Sequence, residues 1–446
     1  MAKQTKQDKG QLQERLTEWY LCLMASVYLL WPGWEGYANI TVHKWRLFLV
    51  LTGGYVLLCV LLRLELWLVG RAARPAPWKA LRTLPLTAKL MLAYLLWTLV
   101  SALASPWRSQ ALLGGGRREG ALSIALYVLS FVCVLRHGRP TRRLLTVFAA
   151  SAGACAALSL VQLLGFNPFG LYPEGMRYQD AFVKYAGAYL GTIGNTDHLA
   201  AVLSLAVPIL WVALLRLEGR RRFWLLLPLS LCLAVLLWMG VDAGLVALAG
   251  STLLSLPAVL PCGDRTRRRL WLAIPVVLLL GLAGVFFLGG SPGGSLGELS
   301  ALLHGQVSDS FGSGRVRIWR ELAPLVGERP ILGGGPETLG LRNDIVFERW
   351  HEDLGILLRS TVDDAHNAYY NILLCQGVPG LLLYLAGLVC AARHWLRRAK
   401  TSPAAALLGA GVLGYCIQAF FSVSAVIVSP FLWLALGLLV GEETAR

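Results

Sequence analysis

Runs of about 20 apolar residues, long enough to cross a bilayer as helix, recur along this chain and leave little room for any other architecture. On that criterion the candidates lie near 17–32, 46–69, 84–105, 119–136, 143–165, 194–216, 223–240, 241–261, 270–289, 367–392, 403–425 and 427–441. Composition agrees: 56% of residues are hydrophobic and only 15% charged, where a soluble domain carries about 25% charged residues. The expected fold is an all-α polytopic membrane protein of about 12 transmembrane helices. The first run, Trp19 to Trp31, follows a polar, basic stretch and lacks a small-residue cleavage site, so it reads as an uncleaved first span. No internal repeat is visible.

The net charge of +16 could suggest nucleic acid, but the basic residues fall in short blocks between the apolar runs. That spacing is the cytoplasmic-loop bias of multi-pass membrane proteins. With both termini cytoplasmic, the inside loops are GRAARPAPWKALR, RHGRPTRR, RLEGRRRF, DRTRRR and ARHWLRRAK, each dense in Arg and Lys. The outside loops are mixed in charge, and only GGGRRE (114–119) puts paired arginines there. Three regions follow: an N-terminal transmembrane bundle (1–289), one large extracytoplasmic loop with short helices (290–366) between helices 9 and 10, and C-terminal transmembrane helices (367–446). The nine cysteines form no CxxC pair and lie in apolar spans or beside a basic block, which argues against a disulfide framework or zinc site.

Inside the large loop, SGRVRIWRE (313–321) places Arg315, Arg317 and Arg320 on the side where orientation does not require them, in a loop with seven arginines against eleven acidic residues. Ser313 can cap a helix running from Gly314 to about Leu325. At about 100° per residue, Arg315 shares a face with Val316, Ile318, Trp319, Leu322 and Val326, while Arg317, Arg320 and Glu321 fall opposite. Arg317 and Arg320 then read as a solvated face. Arg315 is a guanidinium on the packed side, wanting either an oxyanion ligand or a loop carboxylate such as Asp309.

Three further segments are polar where the chain is otherwise apolar. ERPILGGGPETLG (328–340) has glycines for tight turns and close backbone approach, lacks the Gly-Lys-Ser/Thr of a phosphate loop, and reads equally as a surface turn. In TVDDAHNAYYN (361–371), Asp363 or Asp364 can cap the next span with His366 and Asn367 in its first turn. The Asp363–His366 spacing would let a carboxylate orient an imidazole able to deprotonate a hydroxyl; the plainer reading is an interfacial helix start. AYLGTIGNTDHLAA (188–201) opens another helix after a turn at Gly191, Gly194 and Asn195, capped by Thr196 or Asp197, with His198 structural or interfacial.

In this order and spacing, the segments containing GTIGN, SGRVRIWRE…LGGGPETLG and DDAHNAYYN resemble the O-antigen ligase/polymerase superfamily of bacterial membrane glycosyltransferases. The resemblance implies a helical bundle similar to the GT-C class that works without a nucleotide sugar, metal or other cofactor. The implied donor is an undecaprenyl-diphosphate-linked glycan, and the implied acceptor a polysaccharide, lipid or other envelope component, at the outer face of the bacterial cytoplasmic membrane. Arg315 matches the arginine that holds the diphosphate, and His366 the histidine that activates the acceptor hydroxyl, with Asp363 or Asp364 orienting it. Ligases of the family carry another arginine shortly before the GTIGN-like turn. Here the nearest cations are Lys184 and then Arg177, and these, with Arg320, are the further diphosphate candidates; ligase and polymerase both remain open. The rival classes are a transporter or flippase of lipid-linked glycan, and a non-catalytic partner of polysaccharide assembly. The former is disfavoured by spans nearly devoid of ionisable groups.

Overall fold

The computed structural model describes residues 2–68, 81–172, 190–289, 294–351 and 356–441. Among them, eight helices are long and apolar enough to cross a membrane, three shorter apolar helices accompany them, and the N-terminal helix completes the set. Helix α1 (Ala2–Leu23) runs into a π-helical turn at Met24–Tyr28; α2 (Ile40–Phe48) passes through another at Leu49–Gly53 into α3 (Gly54–Leu68). There follow α4 (Leu86–Ala104), the short α5 (Arg108–Leu113), α6 (Ala121–His137), α7 (Arg142–Leu163), α8 (Thr196–Arg216), α9 (Leu226–Met239), α10 (Asp242–Val259) and α11 (Asp264–Leu288). After the large loop come α15 (Ala368–Arg398), α16 (Pro403–Ala419) and α17 (Ser429–Gly441). Each apolar run in the sequence is helical, eight of the described helices are long and apolar enough to cross a membrane, and the fold is the all-α multi-pass bundle its hydropathy dictates.

The loop holds α12 (Ser295–Leu303), α13 (Arg315–Leu322) and α14 (Pro324–Glu328), and also something the sequence reading lacked. Strands β1 (Val346–His351) and β2 (Ile356–Thr361) pair antiparallel, in register from Val346 opposite Thr361 to His351 opposite Ile356. Alternation over six residues is too short to stand out within a loop of mixed polarity.

Burial sorts the spans. Over its most apolar window α8 is 83% buried and α11 only 6%, so α8 lies at the bundle centre and α11 offers nearly its whole surface to lipid. Helix α16 packs on α8 backbone to backbone: a Cβ on Gly411 would lie 2.8 Å from the Leu205 carbonyl oxygen, and one on Gly414 would collide with that of Ser204. Small residues allow such approach where no hydrophobic force drives helices together. Lys44, fully enclosed in α2, donates to the carbonyls of Tyr28 (2.8 Å) and Leu29 (3.2 Å), capping the end of the first span.

Helix α15 is broken at Gly377, whose φ of 74° is left-handed. A break inside a membrane frees carbonyls that must find new donors. The LGGGPE stretch supplies them as a buried strap: Gly334 N–H donates to Leu374 O (3.1 Å), Gly335 N–H to Cys375 O (2.8 Å), and Val378 N–H returns a bond to Pro330 O (2.8 Å). Helix α4 completes the junction through Trp97 Nε1 to Gln376 O (2.8 Å), Ser101 Oγ to Leu332 O (2.6 Å) and Ser105 Oγ to Gly334 O (2.6 Å). Arg342 Nη1 adds a bond to Leu374 O (2.7 Å). The glycine run is thus structural, a close-packed splice between loop and bundle. Gly377→Ala would place a Cβ against the Ile331 carbonyl in a left-handed backbone; we expect a loss of about 1–3 kcal/mol or more, read as a lower Tm of the detergent-solubilised protein, and an unchanged Tm would contradict this junction.

Candidate active site

The turn before α13 differs from the expected one. Ser313 (φ 58°) and Gly314 (φ 84°) are both left-handed, Gly314 is the N-cap residue, and no side chain caps the helix. The helical phase is as expected: Ile318 and Leu322 are buried with Leu325, Leu339, Val362, Ala365 and Leu374, and Trp319 and Val326 pack against them.

The three arginines have separate fates. Arg317 pairs with Glu321 (2.6 Å) and lies over the Phe347 ring. Arg320, a candidate for the diphosphate, is exposed and pairs with Asp309 (2.6 Å), the carboxylate considered for Arg315. Arg315 has no carboxylate partner among the described residues. Its Nη1 donates to Gly312 O (2.7 Å) and Nη2 to Phe421 O (2.9 Å), in the turn after α16, while Nε is buried without an acceptor. Neutral carbonyls fix the guanidinium's direction and leave its charge uncompensated. Such an arginine can receive an anion in a fork.

The same helix anchors His366. Trp319 Nε1 donates to Ala365 O (2.8 Å), and Tyr370 OH to Trp319 O (3.2 Å). Helix α15 starts at Ala368, capped by Asn367, whose Oδ1 accepts from Tyr369 and Tyr370 N–H (3.0 Å each). Neither Asp363 nor Asp364 caps it, and His366 (φ 50°) lies before it in a left-handed turn. Asp364 Oδ1 accepts from the His366 backbone N–H (2.8 Å), holding the turn rather than the ring. The expected Asp363–imidazole pair does not form, because Asp363 is taken elsewhere, and the imidazole makes no hydrogen bond among the described residues.

What takes Asp363 is Arg117, which sequence reasoning passed over. Its Nη2 donates to Asp363 Oδ1 (2.7 Å) and Nη1 lies 2.6 Å from Oδ2, a two-pronged pair. Both Arg117 N–H and Glu119 N–H donate to the Glu337 carboxylate, each at 2.6 Å. Glu337 is the acidic residue of the glycine strap, and Tyr127 OH closes onto Glu119 (2.8 Å). A signal existed: GGGRRE was the one loop with paired arginines against the charge rule.

On the second membrane-entry turn, Asn195 rather than Thr196 or Asp197 caps α8, its Oδ1 accepting from His198 N–H (3.0 Å). Gln162 and Tyr37 clamp Gly191, and Thr192 Oγ1 donates to Leu29 O (2.7 Å). Arg177 and Lys184 lie outside the described residues.

Electrostatics follow from these contacts. Burial, then the fields of Arg117 and Arg315, push the His366 pKa down to about 4. Burial raises Asp364 to about 7 and, beside Tyr127, Glu119 to about 8. Burial opposes charge on Arg117, but Asp364 and Asp363 outweigh it and hold its pKa above the usual arginine value. The site therefore presents a neutral imidazole within the fields of two guanidiniums, of which Arg117 pairs with Asp363 and Arg315 meets no carboxylate among the described residues.

These features describe a multi-pass membrane protein in which, where the large loop meets the bundle, an arginine is held by carbonyls with no carboxylate partner among the described residues, and its field reaches a histidine of lowered pKa. Residues 227–385 match the family model for O-antigen ligase, a segment that includes Arg315, the glycine strap and His366. The match supports membership of the O-antigen ligase/polymerase superfamily and suggests a glycosyltransferase-type activity. Comparison with curated proteins finds no match.

Removing a cation beside a titrating imidazole raises its pKa. We expect NMR titration of His366 in the apo protein to give a midpoint near 4, and Arg117→Gln to move it upward; a midpoint at the ordinary histidine value would contradict the arrangement.

Proposed function

We propose that this protein transfers a glycan from an undecaprenyl-diphosphate carrier to an acceptor hydroxyl at the membrane face that carries the large loop. The reaction is of O-antigen ligase or polymerase type, in the outer leaflet of a bacterial cytoplasmic membrane, with both termini cytoplasmic. One observation carries this reading above the others: within the matched domain, Arg315 alone of its cluster is held by carbonyls with no carboxylate among the described residues, and its helix is tied through Trp319 to the residue before His366.

The donor diphosphate binds Arg315, assisted by Lys184 or Arg177. His366 accepts the proton of the acceptor hydroxyl. The oxygen attacks the anomeric carbon, the bond from that carbon to the phosphate oxygen breaks, and the lipid diphosphate leaves with inversion. Negative charge on the leaving group is stabilised by the fixed guanidinium. Asp364 shapes the turn that presents the imidazole, and Asp363 acts through Arg117 rather than on the ring. Arg320 is reserved to its pair with Asp309. The acceptor is a polysaccharide, lipid or other envelope component.

Loss of the base should reduce transfer by about 10²–10⁴-fold, and loss of the arginine by about 10²–10³-fold. In membranes carrying normal amounts of protein, His366→Ala and Arg315→Ala should therefore abolish detectable linkage of glycan, while Arg317→Ala and Arg320→Ala keep it. Full activity in either of the first two sinks the assignment. Movement of lipid-linked glycan in proteoliposomes without a new glycosidic bond would favour a transporter.

A pH profile tests the base separately. A bound diphosphate offsets the positive field on His366 and so raises its pKa. The acid limb of kcat/KM, which reports free enzyme, should lie near pH 4, and that of kcat at higher pH. Coincident limbs at the ordinary histidine value would exclude this coupling.

A further inference from the structure

At the end of the bundle opposite Arg315 and His366, a cavity of about 460 Å³ opens between α1, α7, α8, α16 and α17. Its position follows from two helices. Helix α7 begins here at Arg142 and ends near Gln162, which binds Gly191 in the loop-side turn. Helix α16 begins here at Pro403 and leads to Phe421, whose carbonyl receives Arg315; its 17 residues rise about 25 Å.

The walls are apolar, with Met24, Leu205, Ile209, Leu408, Phe431 and Leu438 among them. Polar groups gather only where α7 and α16 begin: Thr141, Arg142 and Ser402. The two hydroxyls are already engaged, Thr141 with Leu144 N–H and Ser402 with Ala405 N–H (3.1 Å each). In the basic block 136–143, Arg139 pairs with Glu14 (2.9 Å) and Arg143 lies over the Trp19 ring (4.4 Å to its centroid). Arg142, exposed and lining the cavity, has no ion-pair partner among the described residues.

An apolar cavity gives water too few partners to enter and, if unfilled, forfeits the contacts of its lining. Within a bilayer the filler at hand is an acyl chain. Taking a methylene as close in volume to a water molecule, about 30 Å³, the space holds on the order of fifteen methylenes, one chain. Basic pockets between membrane helices recognise phospholipid head groups. We infer that this cavity binds one acyl chain of an anionic glycerophospholipid from the leaflet opposite the loop, with the phosphate on Arg142. The bound lipid fastens α1 and α7 to α16 and α17. The tail of a polyprenyl donor fits less well, since its diphosphate would sit at the other membrane face and leave Arg142 without an anion. The site stands independently of the transfer reaction.

Native mass spectrometry of the intact protein in mild detergent tests this. One phosphatidylglycerol per chain should survive washing and exchange poorly for phosphatidylcholine. Ala435→Phe and Ala25→Phe, which fill the cavity from two walls, should each reduce retained lipid at least tenfold while the delipidated Tm holds or rises. Arg142→Glu, at an exposed position, should abolish the preference for the anionic lipid. If the filled variants do not fold, the Arg142 result decides alone. Unaltered selectivity in Arg142→Glu, undiminished retention in folded cavity-filled variants, or a polyprenyl species in place of phospholipid would each overturn the assignment.

Discussion

The carbonyls freed where α15 breaks at Gly377 govern how the polar loop joins the membrane bundle. They cannot be left to hydrocarbon, and Gly334, Gly335, Trp97 and Arg342 take them up. That splice fixes the strap, and the strap fixes Glu337. Glu337 gathers the backbone of Arg117 and Glu119; Arg117 reaches across to Asp363, three residues before His366. A backbone requirement inside the membrane is thereby transmitted to the placement of an imidazole at its surface.

Charge at the loop–bundle junction is arranged by pairing. Arg317, Arg320 and Arg117 each meet a carboxylate. Among the described residues, Arg315 meets only carbonyl oxygens. The Arg315 guanidinium is thus fixed in direction without neutralisation by a described carboxylate, and its field, with burial and that of Arg117, lowers the His366 pKa. The match to the O-antigen ligase family model falls on this same part of the chain.

Much of this was legible in the residues. Spans are local properties of about 20 residues each, and the helical phase that separates Arg315 from Arg317 and Arg320 is local too. The caps were harder. Asn367 and Asn195 do the work expected of neighbouring Asp or Thr residues, and His366 sits in a left-handed turn rather than a helical one, because the tie between Trp319 and Ala365 sets where α15 can begin. The pairing of Arg117 with Asp363 spans 246 positions, and no periodicity carries information across that separation. The hairpin in the loop was missed for the opposite reason: its strands are too short for their pattern to be distinctive.

Sequence alone determined the all-α membrane class, the helical runs, and the candidacy of Arg315 and His366, since hydropathy and helical phase are written in consecutive residues. Tertiary structure decided which arginines are neutralised, which carboxylate holds Arg117, why the glycine run is buried, and where an apolar cavity opens on the far face. Those outcomes depend on which distant groups compete for the same donors, acceptors and space, and that competition exists only once the helices have packed.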